Sequence, residues 1–257
     1  MDYQDIFQRY EIKYLVTREQ KELLLEAMAP YIQTDEYGRT SICNLYFDTP
    51  DYRLVRHSLE RPVYKEKLRL RSYGRVSKDG RVFAELKKKY KGVVYKRRIG
   101  MEEREAMEFL LRGGMPSEPD RIAEEISYFK QVYAGLAPRV YLSYEREAFR
   151  GVEDEKLRIT FDENILWRQT DLSLCAPIGG TPILEPGASL MEVKVADAMP
   201  LWLCGLLSEN GIFKTCFSKY GRAYVQMWEQ AERARRETGE QTARENLQSA
   251  MGGRKYA

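Results

Sequence analysis

Basic side chains recur at every second position along several stretches of this chain of 257 residues. Lys67, Arg69 and Arg71 alternate with Leu68 and Leu70, and Glu85 and Lys87 alternate with Ala84 and Leu86. Lys96 and Arg98, Glu11 and Lys13, Arg158, and Glu192 and Lys194 repeat the arrangement elsewhere. A period of two puts successive side chains on opposite faces of a β-strand, so each stretch pairs a charged face with an apolar one. From Lys65 to Arg98, 14 Lys or Arg stand against three acids, while the whole chain carries only +3. The positive charge is therefore concentrated in one region. Guanidinium groups grip oxyanions with two parallel hydrogen bonds and ammonium groups add point charges. Cations crowded in a cavity are costly unless an anion fills it. A chain of phosphates supplies such an anion, with many acceptor oxygens at close spacing.

Two plainer readings compete. A single alternating basic strand is ordinarily an exposed sheet face, but the pattern on five or more strands weakens that account. A basic sheet with Tyr64, Tyr73, Phe83, Tyr90 and Tyr95 also suits nucleic acid, whose bases stack on aromatic rings. Glu11, Glu85 and Glu192 share the basic face, however, which disfavours nucleic acid and suits a site that handles metal and phosphate.

His57 is the one histidine, so histidine catalysis and most transition-metal sites are set aside. A metal here would rest on carboxylates and be a hard ion, magnesium or manganese. Cys43, Cys175, Cys204 and Cys216 form no CxxC pair and read as reduced thiols of a cytoplasmic protein. The first ten residues lack the pattern of a signal peptide, and no apolar run is long enough to span a bilayer.

The elements that must position these side chains follow from the same patterns. A strand is expected from Phe7 to Val16, then a helix capped by Thr17 and closed by Pro30. A second strand runs Thr40 to Phe47, with Asp48 or Thr49 capping a short helix. Three basic strands joined by tight turns follow as a meander. Helices are expected over Met101 to Leu111 and Pro119 to Tyr133, and strands over Pro138 to Phe149, Lys156 to Ile165 and Leu190 to Val195. The stretch from Asp171 to Ser189 reads as loop. Helices over Pro200 to Leu207 and Lys219 to Trp228 precede a polar extension that frays into a disordered tail. The implied architecture is α+β: about eight strands in an antiparallel barrel with a charged lumen and helices packed outside. Residues 1–228 form the main domain and 229–257 the extension and tail.

The ordered series Tyr10-Glu-Ile-Lys-Tyr14, Asn44-Leu-Tyr-Phe-Asp-Thr-Pro50, Lys67-Leu-Arg-Leu-Arg71, Glu85-Leu-Lys87, Tyr144-Glu-Arg146, Leu157-Arg-Ile-Thr-Phe-Asp162, Met191-Glu-Val-Lys194 and Phe217-Ser-Lys-Tyr220 resembles the polyphosphate polymerase domain of the vacuolar transporter chaperone (VTC) family, in the triphosphate tunnel (CYTH-like) superfamily. The resemblance implies an antiparallel tunnel that moves the γ-phosphate of ATP onto growing inorganic polyphosphate. It assigns Arg69, Arg71, Lys87, Arg146 and Arg158 as catalytic cations, and Lys13, Lys96, Tyr144, Ser218 and Lys219 as substrate-binding groups. Glu192 would hold Mn2+ or Mg2+. The implied partners are ATP and polyphosphate, without nucleic acid or direct membrane insertion; a separate membrane protein is compatible. Tripolyphosphatases and nucleoside triphosphatases share the superfamily, as do modules that only bind polyphosphate. Its hydrolases typically open with an ExExK strand, whereas Arg9 here precedes Glu11-Ile-Lys13, which favours the polymerase.

Overall fold

The computed structural model describes residues 10–91 and 93–252, with side chains as far as 238. The elements in order are β1 (Tyr10–Val16), α1 (Arg18–Met28), β2 (Ile32–Asp48), α2 (Arg53–Leu59), β3 (Tyr64–Tyr73), β4 (Arg81–Tyr90) and β5 (Val93–Glu102). They continue with α3 (Glu103–Arg112), α4 (Arg121–Val132), β6 (Ala137–Gly151), β7 (Arg158–Arg168), β8 (Thr181–Pro182), β9 (Ser189–Val195), α5 (Leu201–Glu209) and α6 (Lys219–Gly252).

The strands form one antiparallel sheet in the order β1-β9-β7-β6-β2-β3-β4-β5, with β8 attached to β7 off this path. The sheet curls strongly: Glu11 on β1, at one end of the path, reaches Lys87 on β4, next to the other end, at 3.7 Å. Among the described residues β1 and β5 do not pair with each other, so the two ends of the curled sheet meet through side chains rather than through a ladder. The architecture is α+β, the barrel-like antiparallel sheet with helices outside that the alternation implies and the resemblance describes as a tunnel.

The outward faces explain the helices. Leu68, Leu70, Val82, Ala84 and Leu86 pack with Phe109 and Leu110 of α3 and Ile126 and Phe129 of α4. Ile159, Phe161, Met191 and Val193 pack with Leu24 and Met28 of α1 and Leu203 and Leu207 of α5. Helix α1 starts where Thr17 Oγ1 accepts from the Gln20 amide at 3.2 Å while Gln20 Oε1 accepts from the Thr17 amide at 3.0 Å. Helix α6 behaves differently. Its Tyr220, Ala223 and Tyr224 pack with Tyr46, Leu142, Tyr144 and Trp167. Leu142, Tyr144 and Arg146 alternate along one face of β6, so α6 covers one end of the charged face itself.

Strand β2 is longer than the pattern predicted. Its first half, Gln33-Thr-Asp-Glu-Tyr-Gly-Arg39, is largely exposed and shows no apolar alternation, and a register shift against β6 falls between Thr34 and Arg39. The loop expected between Asp171 and Ser189 holds, apart from β8. The first strand is seen from Tyr10, and residues 7–9 lie outside the described residues; the extension expected from residue 229 continues α6 as helix to Gly252, and the remainder of the expected tail, 253–257, lies outside the described residues. No helix among the described residues is long and apolar enough to cross a membrane. The four cysteines are free, and His57 is half exposed on α2, its Nε2 3.1 Å from the Tyr64 carbonyl.

Candidate functional site: a cationic tunnel lining

The inward side chains form one connected network of cations threaded by four carboxylates. On β4, Glu85 is 1% exposed and accepts from Arg69 Nε at 2.8 Å, with Arg69 Nη2 at 2.7 Å and Lys96 Nζ at 2.6 Å. Arg71 Nε lies 3.7 Å from the same carboxylate. Strand β2 aims these guanidinium groups: Tyr46 Oη accepts from Arg69 Nη1 at 3.0 Å, and Asn44 Oδ1 accepts from Arg71 Nε at 3.1 Å. The cross-strand register, Asn44 opposite Arg71 and Tyr46 opposite Arg69, sets those pairs.

A second knot centres on Asp162 of β7 and Glu192 of β9. Arg146 forks onto Asp162, Nε to Oδ1 at 2.6 Å and Nη2 to Oδ2 at 2.7 Å. Lys219 Nζ lies between Asp162 Oδ2 at 2.5 Å and Glu192 Oε1 at 3.0 Å. Lys13 Nζ stands 3.2 Å from Glu192 Oε1, and Arg146 Nη2 lies 3.6 Å from Oε2. Tyr144 joins the two knots: its hydroxyl accepts from Arg71 Nη2 at 3.2 Å, and its ring lies under Lys219 and Arg146. Along the remaining wall, Glu11 bridges Lys13 at 3.2 Å and Lys87 at 3.7 Å, and Lys67 Nζ donates to Ser218 Oγ at 3.0 Å.

Charge balance within the lining moves its titrations. Burial pushes the Glu85 carboxyl up, but Arg69, Arg71 and Lys96 outweigh it and hold it at about 2. Glu11 is likewise raised by burial yet brought to about 2 by Lys87, Lys13 and Lys194. Glu192 is held well below the usual carboxylate range, Lys219 and Lys13 overcoming its burial. Lys67 goes the other way. Burial, then the like charges of Lys87, Lys13, Lys65 and Arg69, bring it down to about 7. Burial also lowers Lys96 to about 8, although Glu85 opposes the shift. Tyr144 is lowered because Arg71, Arg146 and Lys219 outweigh its burial. Excess positive charge in a desolvated space is the common cause.

The contacts join Lys13, Arg69, Arg71, Lys87, Lys96, Tyr144, Arg146, Glu192 and Lys219 in this network, and Ser218 stands beside it, paired with Lys67. Arg158 stands apart. It opens β7 opposite Lys194, is half exposed, and pairs with Asp35 of β2 at 2.5 Å. The lining also contains groups the sequence reading left without a role: Asn44, Tyr46, Lys67, Asp162 and Lys194. Lys67 heads the same alternation as Arg69 and Arg71. Asn44 and Tyr46 occupy alternate positions of their own motif. Period two carried the signal in both cases.

No cluster of three or more carboxylate, His or Cys side chains is placed to hold an ion among the described residues. Glu192 stands near Glu11, close enough for each to disfavour the other's ionisation. That sparse donor set is no dedicated cage. It fits the way magnesium and manganese sit on one or two carboxylates while keeping water and substrate phosphate oxygens.

Several known proteins are similar to this chain. Residues 8–228 match the family model of the VTC domain. The chain is 24% identical over 221 residues to vacuolar transporter chaperone complex subunit 4 of Schizosaccharomyces pombe, a match covering 68% of this chain and 30% of that one. It thus spans under a third of that relative's length. Among solved structures, a putative adenylate cyclase from Bacillus halodurans superposes with a TM-score of 0.50 at 16% identity, over 82% of this chain and 95% of the other. A putative adenylate cyclase from Vibrio parahaemolyticus gives 0.44 at 12% identity, over 84% and 97%. The likeness to the Bacillus structure bears on the fold alone.

Proposed function

This chain belongs to the VTC domain family, and we propose that it is a polyphosphate polymerase that transfers the γ-phosphate of ATP to the end of an inorganic polyphosphate chain. The observation that carries the reading is the convergence of Arg71, Arg146 and Lys219 on Tyr144, with Arg69 beside them on Tyr46 and Glu85.

Phosphoryl transfer is catalysed mainly by positioning and by neutralising charge on the transferred group. A terminal oxygen of the polyphosphate chain attacks the γ-phosphorus, the bond from that phosphorus to the bridging oxygen of ADP breaks, and ADP leaves with the electron pair. The attacking oxygen is already ionised near neutrality, so no general base is required and a chain with a single histidine suffices. Arg69, Arg71 and Arg146 exchange their carboxylate partners for phosphate oxygens, gripping them through paired N–H groups. Lys13, Lys67, Lys87, Lys96 and Lys219 supply point charges, and Tyr144 and Ser218 supply hydroxyl donors. Arg158 acts from the rim, where it meets incoming phosphate while exposed to solvent. Glu192, with Glu11 nearby, would hold Mn2+ or Mg2+, which adds charge neutralisation on the phosphate oxygens.

Purified protein incubated with ATP and manganese should yield a ladder of polyphosphate on a gel together with ADP. Release of free phosphate without a ladder would instead identify a hydrolase on the same lining, and binding of polyphosphate without turnover a binding module.

A further inference from the structure

The lining explains the cations, but it leaves Asp48 without a role, although this residue lies in one of the sequence motifs and is completely buried. Its carboxylate is a junction of three elements. Oδ1 accepts from the Thr49 amide at 2.8 Å and the Leu54 amide at 2.9 Å, and Oδ2 accepts from the Val55 amide at 3.0 Å. Oδ2 also accepts from the hydroxyl of Tyr220 at 2.9 Å. The end of β2 is thereby tied to the first turn of α2 and to the first turn of α6. Burial pushes the Asp48 carboxyl up, but the hydrogen bonds from Leu54, Tyr220, Thr49 and Val55 oppose that shift. Every contact is a donor to carboxylate oxygen, the arrangement an ionised Asp needs when water is excluded.

Tyr220 is the residue through which this junction reaches the tunnel. Its ring stacks on Tyr46 with centroids 4.5 Å apart, and Tyr46 in turn accepts from Arg69. In sequence Tyr220 directly follows Ser218 and Lys219. Ser218 Oγ accepts from the Gly221 amide at 3.2 Å, which begins the helix, while receiving Lys67 Nζ. Lys219 points from the same turn into the Asp162–Glu192 knot. A long lysine has many rotamers, and its ammonium group is placed only as well as its Cα is held.

We infer that the Asp48–Tyr220 hydrogen bond is a positioning device: it fixes the first turn of α6 so that Lys219 and Ser218 project into the phosphate path. The two motifs containing Asp48 and Tyr220 are far apart in sequence, 172 positions, and this bond joins them in space. The inference rests on the proposed polyphosphate reading for its ligand, and its test separates the two. Tyr220→Phe removes one hydroxyl and keeps the stacked ring, so it is the variant of choice. Asp48→Asn places an amide NH2 where donors converge and serves as a harsher check.

Binding of tripolyphosphate is measured by calorimetry for the wild type, Tyr220→Phe, Lys219→Met and the double variant, with circular dichroism confirming the fold of each. If Tyr220 acts through the first turn of α6, Tyr220→Phe weakens binding by roughly tenfold, and the double variant loses less than the two single losses multiplied, Ser218 carrying what remains. A purely structural role would lower the melting temperature of Tyr220→Phe and leave affinity unchanged, which overturns the inference. Losses that multiply in the double variant overturn it as well, because the two residues would then act independently. Absence of binding to the wild type strikes the polyphosphate reading itself.

Discussion

Lys67 meets Ser218, not a carboxylate: its ammonium group donates to Ser218 Oγ at 3.0 Å, and no acid pairs with it among the described residues. Burial and then the neighbouring cations Lys87, Lys13, Lys65 and Arg69 bring its pKa to about 7. A bound polyanion favours the protonated form, so binding of tripolyphosphate above neutrality takes up a proton. Affinity should fall as pH rises through about 7, and Lys96, brought to about 8, extends the decline upward. Calorimetry at pH 8 in buffers of different ionisation enthalpy should show that uptake, and Lys67→Met should reduce it.

The same group has a signature in the ligand-free protein. Its folded pKa lies below that of an unfolded lysine, so between about 7 and 10.5 the unfolded chain binds more protons. Through Lys67, stability therefore rises with pH across that window. Glu85 and Glu11 carry the opposite case, with folded pKa values of about 2. Their contribution is present above about 4.5 and is lost as pH falls toward 2. Urea midpoints of the wild type and Lys67→Met, followed from pH 6 to 10, should converge at the alkaline end, on the order of pH 10.

Glu85→Gln strips the charge from the partner shared by Arg69, Lys96 and Arg71. Leaving Arg71 and the partly shielded Arg69 without their carboxylate costs about 2 kcal/mol, less than for a fully buried pair because water reaches Lys96 and part of Arg69. Polyphosphate should restore part of that loss, because its oxygens occupy the position the carboxylate vacates. Urea denaturation with and without tripolyphosphate measures both effects. A destabilised variant that gains no more from the ligand than the wild type does would contradict the exchange of partners.

Arg146 and Arg158 should differ sharply. Arg146 is largely shielded, its side chain 15% exposed, and binds Asp162 through two parallel hydrogen bonds, whereas Arg158 is half exposed and pairs with Asp35. Arg146→Ala should weaken tripolyphosphate binding by on the order of a hundredfold, as loss of a desolvated, forked contact would. Arg158→Ala should cost about threefold or less, and mostly at low ionic strength, because solvent screens it. Isotherms at two salt concentrations decide the matter.

Glu192→Gln should remove the dependence of turnover on manganese while keeping the fold, since Lys13, Lys219 and Arg146 retain Asp162 and Glu11 as partners. Equal activation of variant and wild type by manganese would exclude Glu192 as the metal's carboxylate.

Much of this was legible in the sequence because strands write their two faces in alternate letters. Leu68 and Leu70 lie under α3 and α4 while Lys67, Arg69 and Arg71 face inward, as period two required. Other parts left no such trace. The first half of β2 buries neither face fully, so nothing in its residue pattern marks it as strand. Asp162 ends a run of alternating residues like any surface acid, and its service to Arg146 and Lys219 arises only when β6, β7 and α6 meet. That Asp48 joins Tyr220 could not be read either, for a bond between remote positions has no local pattern. Arg158 obeys the alternation, but its place at the start of β7 sets it at the rim, a matter of height along the barrel that period two cannot express.

Among the described residues the two end strands of the sheet each have a single partner strand, which bears on how the molecule behaves in company. Strand β5 presents an edge whose backbone groups would accept a strand from another copy, and such edges seed aggregation. Here that edge carries Lys96, Arg97 and Arg98 in succession, all substantially exposed. Two copies approaching edge to edge would bring these charges together without an anion between them. The cations of β5 thus disfavour edge-to-edge pairing on one side of the strand while Lys96 meets Glu85 of the lining on the other.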